Sequence, residues 1–401
     1  MESTLDKLPP WANDAPARAM LAALGPEARF VGGCVRDALI GAAPADIDIG
    51  VPYPPEATIA KLAAAKLRAI PTGIEHGTVT ALSDHSKYEI TSLRRDVETF
   101  GRHARVAFDA DWHEDAARRD FTINALSLDQ AGKLHDYFDG RADLEAGRVR
   151  FIGDAATRIR EDVLRILRFF RFHARFARGD FDGASLAACR NGAALLPKLS
   201  AERVCGEMFR LLAGPRAAPM LSAMHDAGLL AHWLPEVDAG GIAHIAALDA
   251  LETKLRVAAD PIRRLACFGL DARDFARRWR MSNTQAARLE RLVRPAARIE
   301  AGLDSAALSR AFYWLGDAAK DRALIDAALF ADSAQAVAVI VAAEEWTRPV
   351  FPIGGEDLRA AGMVPGPAMG AGLRDAEQAW VDSNFSLSKE NLLARVSLRA
   401  P

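Results

Sequence analysis

The chain has 401 residues, half of them hydrophobic and about a quarter charged, which suits about two to four globular domains and excludes disorder. Lys and Arg total 51 against 53 Asp and Glu, so a uniformly basic coat is excluded while local basic patches stay open. Four cysteines without CxxC spacing read as free thiols in a reducing compartment, and the longest notable apolar run, Ala336–Ala343, is too short for a bilayer. A soluble cytoplasmic protein with no membrane association is expected.

From about Ala28 to Gly153, short β-like runs alternate with turns and short helices. ARFV leads into Gly32 and Gly33, and CVRDALI reads as a helix. ADIDIGV alternates with period two, and EATIAKLAAAKLRAI reads as a helix. TVTAL and KYEITSL, separated by SDHS, predict a hairpin, with FTINALSL and RVRFI as later strands. Beyond Asp154 the period becomes 3.6. A helix is expected from about Thr157 to Arg178, with Val163, Ile166, Leu167, Phe170 and Ala174 on one face. Further helices fall near 200–212, 216–229, 245–257, 283–296, 305–314, 317–331 and 334–346. The fold class is α+β: a mixed-sheet head over 1–153, a helical neck over 154–240, and a helical body and tail over 241–401.

The richest segment is RFVGGCVRDALIGAAPADIDIG. Backbone N–H groups after Gly32 and Gly33 can hold phosphate oxygens, and Arg36 in the first helical turn could reach the same phosphates. Asp46 and Asp48 stand at i and i+2 on a predicted strand, so both carboxylates share one face. Like charges held together suit a divalent cation such as Mg²⁺, which favours carboxylate and phosphate oxygens. Taken alone, each feature also allows a plain reading, as a tight turn or a solvated strand edge.

Together these residues resemble the nucleotidyltransferase signature of the polymerase β superfamily. More narrowly, they resemble its class II branch of tRNA CCA-adding enzymes and bacterial poly(A) polymerases. The resemblance continues in order through ARRDFTINAL (Ala117–Leu126), IREDVLRILRFFRF (Ile159–Phe172), SAERVCGEMFRLL (Ser200–Leu212), GLLAHWLPEV (Gly228–Val237) and GGEDLRAAGMVPGPAMG (Gly354–Gly370). It implies a polymerase β-like head. It also implies Mg²⁺ on Asp46 and Asp48, and nucleotide contacts from Gly32, Gly33, Arg36 and Arg119. Glu89 resembles the glutamate of a neighbouring strand and is either a third catalytic carboxylate or an exposed strand residue. Asn124, inside an apolar run, is expected to be structural.

On the long helix, Asp162 and Arg165 are expected as i, i+3 neighbours. An aspartate accepts from a base amino group and a guanidinium donates to a ring nitrogen or carbonyl oxygen, so such a pair could accept CTP and ATP and reject GTP and UTP. Arg168 and Arg171 remain for phosphates or the primer end. Between Leu93 and Phe108, charges and Gly101 suit a segment that reshapes the pocket as C addition gives way to A addition. The glycine-rich tail turn Gly362–Gly370 either faces RNA or is a plain helix corner.

The resulting expectation is template-independent addition of CCA, from CTP and ATP, to the 3′ end of tRNA, with no protein partner. A poly(A) polymerase and a C-only or A-only enzyme share the front end and stay open, as does a catalytically silent RNA-binding protein. The absence of a basic tail before the terminal SLRAP favours tRNA. All nine histidines lie at or before His244, which excludes a metal-dependent phosphohydrolase domain in the C-terminal third.

Overall fold

The computed structural model describes residues 3–4, 8–83, 86–100, 103–108, 110–299, 302–330 and 333–397. Asp84 and His85 of the hairpin turn, Gly101, and residues 398–401 lie outside them. The chain divides into two compact units, Met1–Leu211 with Ala223–Trp233, and Leu212–Ser222 with Leu234–Pro401. No described helix is long and apolar enough to cross a membrane.

The first unit begins with β1 (Ser3–Thr4), α1 (Ala15–Leu24), β2 (Arg29–Val31), α2 (Gly33–Leu39), β3 (Ile47–Val51), α3 (Pro55–Ala64) and β4 (Arg68–Gly73). It continues with β5 (Thr78–Ser83), β6 (Ser86–Ser92), β7 (Arg95–Phe100), β8 (His103–Ala107), α4 (Trp112–Ala117), β9 (Ser127–Leu128), β10 (Lys133–His135) and α5 (Gly140–Ala146). One sheet runs β1-β10-β9-β2-β3-β6-β5-β4. Its one parallel pair is β3 with β6, and the register sets Asp48 opposite Glu89. Met20, Leu21 and Leu24 of α1 join Phe30, Ile49, Tyr88 and Ile90 of the sheet in one buried core. Asp14 caps α1 by accepting the Ala17 N–H at 2.8 Å.

Several local expectations change. LRAI does not continue α3: the chain turns at Lys66, which has positive φ, and then enters β4. FTINALSL is a single 3₁₀ turn over Thr122–Asn124 followed by the two-residue β9. Polar side chains dictate this. Asp120 Oδ1 accepts both the Phe121 N–H and Asn124 Nδ2, each at 2.9 Å, which closes the turn locally and leaves no free ladder. RVRFI makes one bridge, Phe151 to Phe121. The segment read as a connecting loop holds the β7–β8 hairpin, a separate two-stranded sheet.

Next come α6 (Ala155–Glu161), α7 (Arg165–Phe176), α8 (Gly183–Asn191), α9 (Ala201–Leu212) and α10 (Ala217–Asp226). The single helix expected over 157–178 is therefore broken. Asp162 is extended, its backbone carbonyl accepts the Arg165 N–H at 3.0 Å, and its side chain accepts the Leu164 N–H at 3.1 Å. This carboxylate starts α7 as a cap does, so it stops α6 at the same point. Residues 154–211 share a unit with the sheet because aromatic rings join them. Phe121 lies 5.0 Å from Phe151 and 5.1 Å from Phe172, and Phe151 stacks on Phe169 at 5.6 Å.

The second unit is helical: α11 (Ala239–Lys254), α12 (Pro261–Leu265), α13 (Ala272–Arg278), α14 (Asn283–Val293), α15 (Ser305–Leu315), α16 (Ala319–Phe330), α17 (Ser333–Glu345), α18 (Gly355–Ala360), α19 (Pro367–Asp382) and α20 (Lys389–Ser397). Fully buried Arg264 is neutralised by Glu252 and also donates to the Leu212 and Gly214 carbonyls. Of the tail turn expected at 362–370, residues 362–366 lie between α18 and α19, with Gly362 at positive φ, and 367–370 form the first turn of α19.

Gly140 is where the head tolerates least change. A Cβ there would stand 2.2 Å from the Thr122 carbonyl oxygen, a backbone atom that cannot swing aside. Gly140→Ala is expected to lower unfolding free energy by ~1–3 kcal/mol, as overpacking does. Urea denaturation checks this, and an unchanged midpoint would contradict the close packing of α5 on that turn.

Candidate active site

The site starts from two strands and a turn. Asp48 on β3 stands beside Glu89 on β6, and exposed Asp46 directly precedes β3. Burial pushes the Asp48 carboxyl from an ordinary 3.8 up to about 6, and the neighbouring charges of Glu89 and Asp46 add to the rise while Arg119 and Lys87 oppose it. The structure thus brings the three carboxylates into one field. It does not complete a cage: among the described residues no group of three His, Cys, Asp or Glu side chains is arranged to hold a metal. Glu89 is instead bound by Lys87 at 2.8 Å. The pair that fits a hard divalent cation is Asp46 and Asp48. Both offer only carboxylate oxygens and unbalanced negative charge, the donor chemistry that would suit such a cation.

Opposite these carboxylates is the glycine turn. Gly32 has φ +71° and caps α2, and its N–H donates to the Leu126 carbonyl at 2.9 Å. A Cβ on it would lie 2.6 Å from Arg119 Nη1, so only glycine lets that guanidinium settle over the turn. Arg119 donates to the Asn124 carbonyl at 3.1 Å and to Asp115 at 3.2 Å, with about a fifth of its side chain exposed. Asp115 is buried, which alone would raise its pKa, but Arg118 and Arg119 hold it below the ordinary carboxylate value. Sequence reasoning missed Asp115, although its i, i+4 spacing to Arg119 was the available signal.

Arg36 is placed differently from expectation. It is 6% exposed, its Nε and Nη2 donate to Asp37, its Nη1 donates to Asn124 Oδ1 at 2.5 Å, and its guanidinium lies 4.3 Å over the Phe176 ring. Burial lowers its pKa even with Asp37 beside it. Arg36 thus braces the glycine turn, its guanidinium held among Asp37, Asn124 and the Phe176 ring of α7. Asn124 bears out its structural reading: it accepts from Arg36 and donates to Asp120.

The same ladder runs on into α7 and α9. Asp120 Oδ2 accepts from Arg168 at 2.6 and 2.7 Å. Glu207, 3% exposed, accepts from Arg171 at 2.6 Å and Arg210 at 2.9 Å, with Arg168 at 3.7 Å. Arg168 and Arg171 are therefore engaged by carboxylates and are not freely presented. Burial would lower Arg168, yet Asp120 and Glu207 outweigh it and hold it above the ordinary arginine value. Asp162 and Arg165 are not i, i+3 partners on one helix; they occupy the turn that opens α7. Asp162 Oδ2 accepts from Arg203 at 2.7 Å, while Arg165 donates to Glu161 at 2.6 Å and to the Arg158 and Arg118 carbonyls. Arg203 and Glu207 were not singled out from sequence, although both lie in the SAERVCGE segment. A cavity of about 830 Å³ lies at the far end of α2, lined by Trp11, Leu39, Ile40 and Arg178 among others, and includes none of these groups.

A nucleotidyltransferase head is the class this geometry defines. Residues 28–150 match the family of the poly A polymerase head domain, and residues 180–240 match that described as "Probable RNA and SrmB- binding site of polymerase A". The mitochondrial CCA tRNA nucleotidyltransferase 1 of Danio rerio is 33% identical over 384 residues, covering 92% of this chain and 87% of that one. The CCA-adding enzyme of Limosilactobacillus fermentum is 35% identical over 397 residues, covering 94% and 95%. Among solved structures, the Bacillus stearothermophilus CCA-adding enzyme in complex with CTP superposes with a TM-score of 0.77 at 27% identity, covering 96% of this chain and 98% of that one. The chain belongs to the class II family of CCA-adding tRNA nucleotidyltransferases.

The raised Asp48 pKa has a direct consequence. Between about pH 4 and 6 the folded chain keeps a proton that the unfolded chain has lost, so stability falls as pH rises through that window. In chelator, Asp48→Asn is expected to raise unfolding free energy by up to ~2 kcal/mol at pH 7 and to give no gain below about pH 4, while nucleotide incorporation is lost. Equal stability of the two proteins at pH 7 would contradict the crowding of carboxylates.

Proposed function

We propose that this chain builds CCA on the 3′ end of tRNA from CTP and ATP without a nucleic-acid template, releasing pyrophosphate. The observation that carries the reading is a salt bridge. Asp120 belongs to the turn that places Arg119 over Gly32, and it binds Arg168 of α7, the helix opened by Asp162 and Arg165. A triphosphate subsite and a base subsite are thereby fixed to each other.

In this reading, Arg119 and the backbone N–H groups after Gly32 and Gly33 take the triphosphate. Asp46 and Asp48 would hold Mg²⁺, which supplies neutralisation of the phosphates and acidification of the attacking 3′-hydroxyl. Asp162 accepts the exocyclic amino group that cytosine and adenine share, and Arg165 donates to the ring nitrogen beside it. Uracil and guanine present the opposite pattern there, an acceptor toward Asp162 and a donor toward Arg165, a mismatch of about 1–3 kcal/mol per contact. Glu89 tunes Asp48 through charge rather than as a ligand. Arg36, Arg168 and Arg171 form the charged scaffold that keeps the two subsites in register. We assign the reaction to the cytoplasm. Cysteine usage supports this: all four are free thiols, and burial pushes Cys34 and Cys205 up to about 11.

The test incubates purified protein, Mg²⁺ and each single NTP with tRNAs lacking zero to three terminal residues. CCA addition predicts C on substrates short by three or two residues, A on those short by one, and none on complete tRNA. Long A tails would identify a poly(A) polymerase, one-nucleotide use a specialised enzyme, and no product a silent RNA binder. In the same assay Asp162→Ala is expected to raise UTP use relative to CTP about tenfold or more, while Arg165→Ala depresses CTP and ATP use together. An unchanged CTP/UTP ratio in both variants would make this turn a scaffold only.

A further inference from the structure

We propose that Arg203 is a positioning residue for base selection, holding the Asp162 carboxylate away from Arg165 so that the incoming base, not the protein, joins the two. This rests on reading Asp162 and Arg165 as the base-contacting pair.

An aspartate and an arginine three residues apart in one turn would ordinarily find each other. Such a pair would satisfy itself and have nothing left for a base. The structure keeps them apart with outside partners. Arg203 Nη2 donates to Asp162 Oδ2 at 2.7 Å, while Arg165 Nη1 donates to Glu161 at 2.6 Å and to the Arg158 carbonyl at 3.0 Å. Arg165 Nη2 reaches the Arg118 carbonyl at 2.9 Å. Among the described residues no ion pair joins Asp162 to Arg165.

Asp162 needs such a partner because no helix fixes it. Its backbone is extended between α6 and α7, and among the described residues the Leu164 N–H at 3.1 Å alone holds its other carboxylate oxygen. With one donor on each oxygen, the carboxylate is oriented, yet each oxygen keeps a lone pair for an amino group. Arg203 is itself anchored. One turn further along α9, buried Glu207 clamps Arg171 of α7 at 2.6 Å. Both Asp162 and Arg203 are about a quarter exposed, so the ion pair adds little to stability. Its effect falls on selectivity instead.

The experiment compares kcat/KM for CTP and UTP on a tRNA awaiting C, for the parent, Arg203→Ala, Arg203→Lys, Asp162→Ala and the double Asp162→Ala/Arg203→Ala, with thermal melting of each. Arg203→Ala is expected to lower the CTP/UTP ratio on the order of tenfold with little change in Tm, and Arg203→Lys to recover part of it. In the Asp162→Ala background, Arg203→Ala should lower the ratio no further. An unchanged ratio in Arg203→Ala, or the same drop in both backgrounds, would overturn the proposal. If Asp162→Ala lowers the ratio and Arg203→Ala does not, this inference alone fails. If Asp162→Ala leaves the ratio unchanged, the base-reading assignment fails first. Should the alanine variant not fold, Arg203→Gln carries the same comparison.

Discussion

A single amide, that of Asn124, holds the head of this molecule in working order. Its oxygen accepts from buried Arg36 under the glycine turn, and its nitrogen donates to Asp120, which binds Arg168 on α7. The constraint is one of complementarity. Arg36 offers only donors and Asp120 only acceptors, and the uncharged amide between them presents an acceptor to the first and a donor to the second. The placement of the turn beside the site follows from it. The 3₁₀ turn forms because Asp120 and Asn124 bond each other, and that turn delivers Arg119 over Gly32.

Such a ladder alternates charge through the first unit: Asp37, Arg36, Asn124, Asp120, Arg168, Glu207, Arg171. Buried ions are costly unless each is paired and hydrogen-bonded, and the low dielectric around them makes a broken link expensive. Phe172 adds a second attachment, with Arg171 4.5 Å and Arg36 and Arg168 each 5.3 Å from its ring. Asp46 and Asp48 lie outside this ladder, and burial with the nearby charges of Glu89 and Asp46 raises the Asp48 pKa. Stability is concentrated in the scaffold, while the Asp48 carboxylate is left electrostatically unsatisfied.

Much of this was legible because it is local. The Gly32-Gly33 turn, the alternation of Asp46 and Asp48, the β5–β6 hairpin and the helices of the rear half all follow from spacing within a dozen residues. The break at Asp162 was not. The apolar stripe of Val163, Ile166 and Leu167 continues in phase with the preceding turn, and no Gly or Pro marks the kink; only a capping-type aspartate does. The partners of Arg36 are not legible for a different reason. A first-turn arginine after a glycine loop suits phosphate by local chemistry, but its partners Asn124 and Phe176 are far along the chain. The Arg203–Asp162 contact likewise spans 41 positions, beyond any periodic signal.

The account stands most directly on Asn124→Ala, examined by equilibrium urea denaturation together with calorimetric titration of CTP and ATP. Losing both hydrogen bonds and leaving Arg36 and Asp120 under-satisfied is expected to cost ~2–4 kcal/mol of stability. It should also weaken CTP and ATP binding alike, because the proposed triphosphate and base subsites lose their common brace. A variant as stable as the parent that binds both nucleotides with unchanged affinity would contradict it.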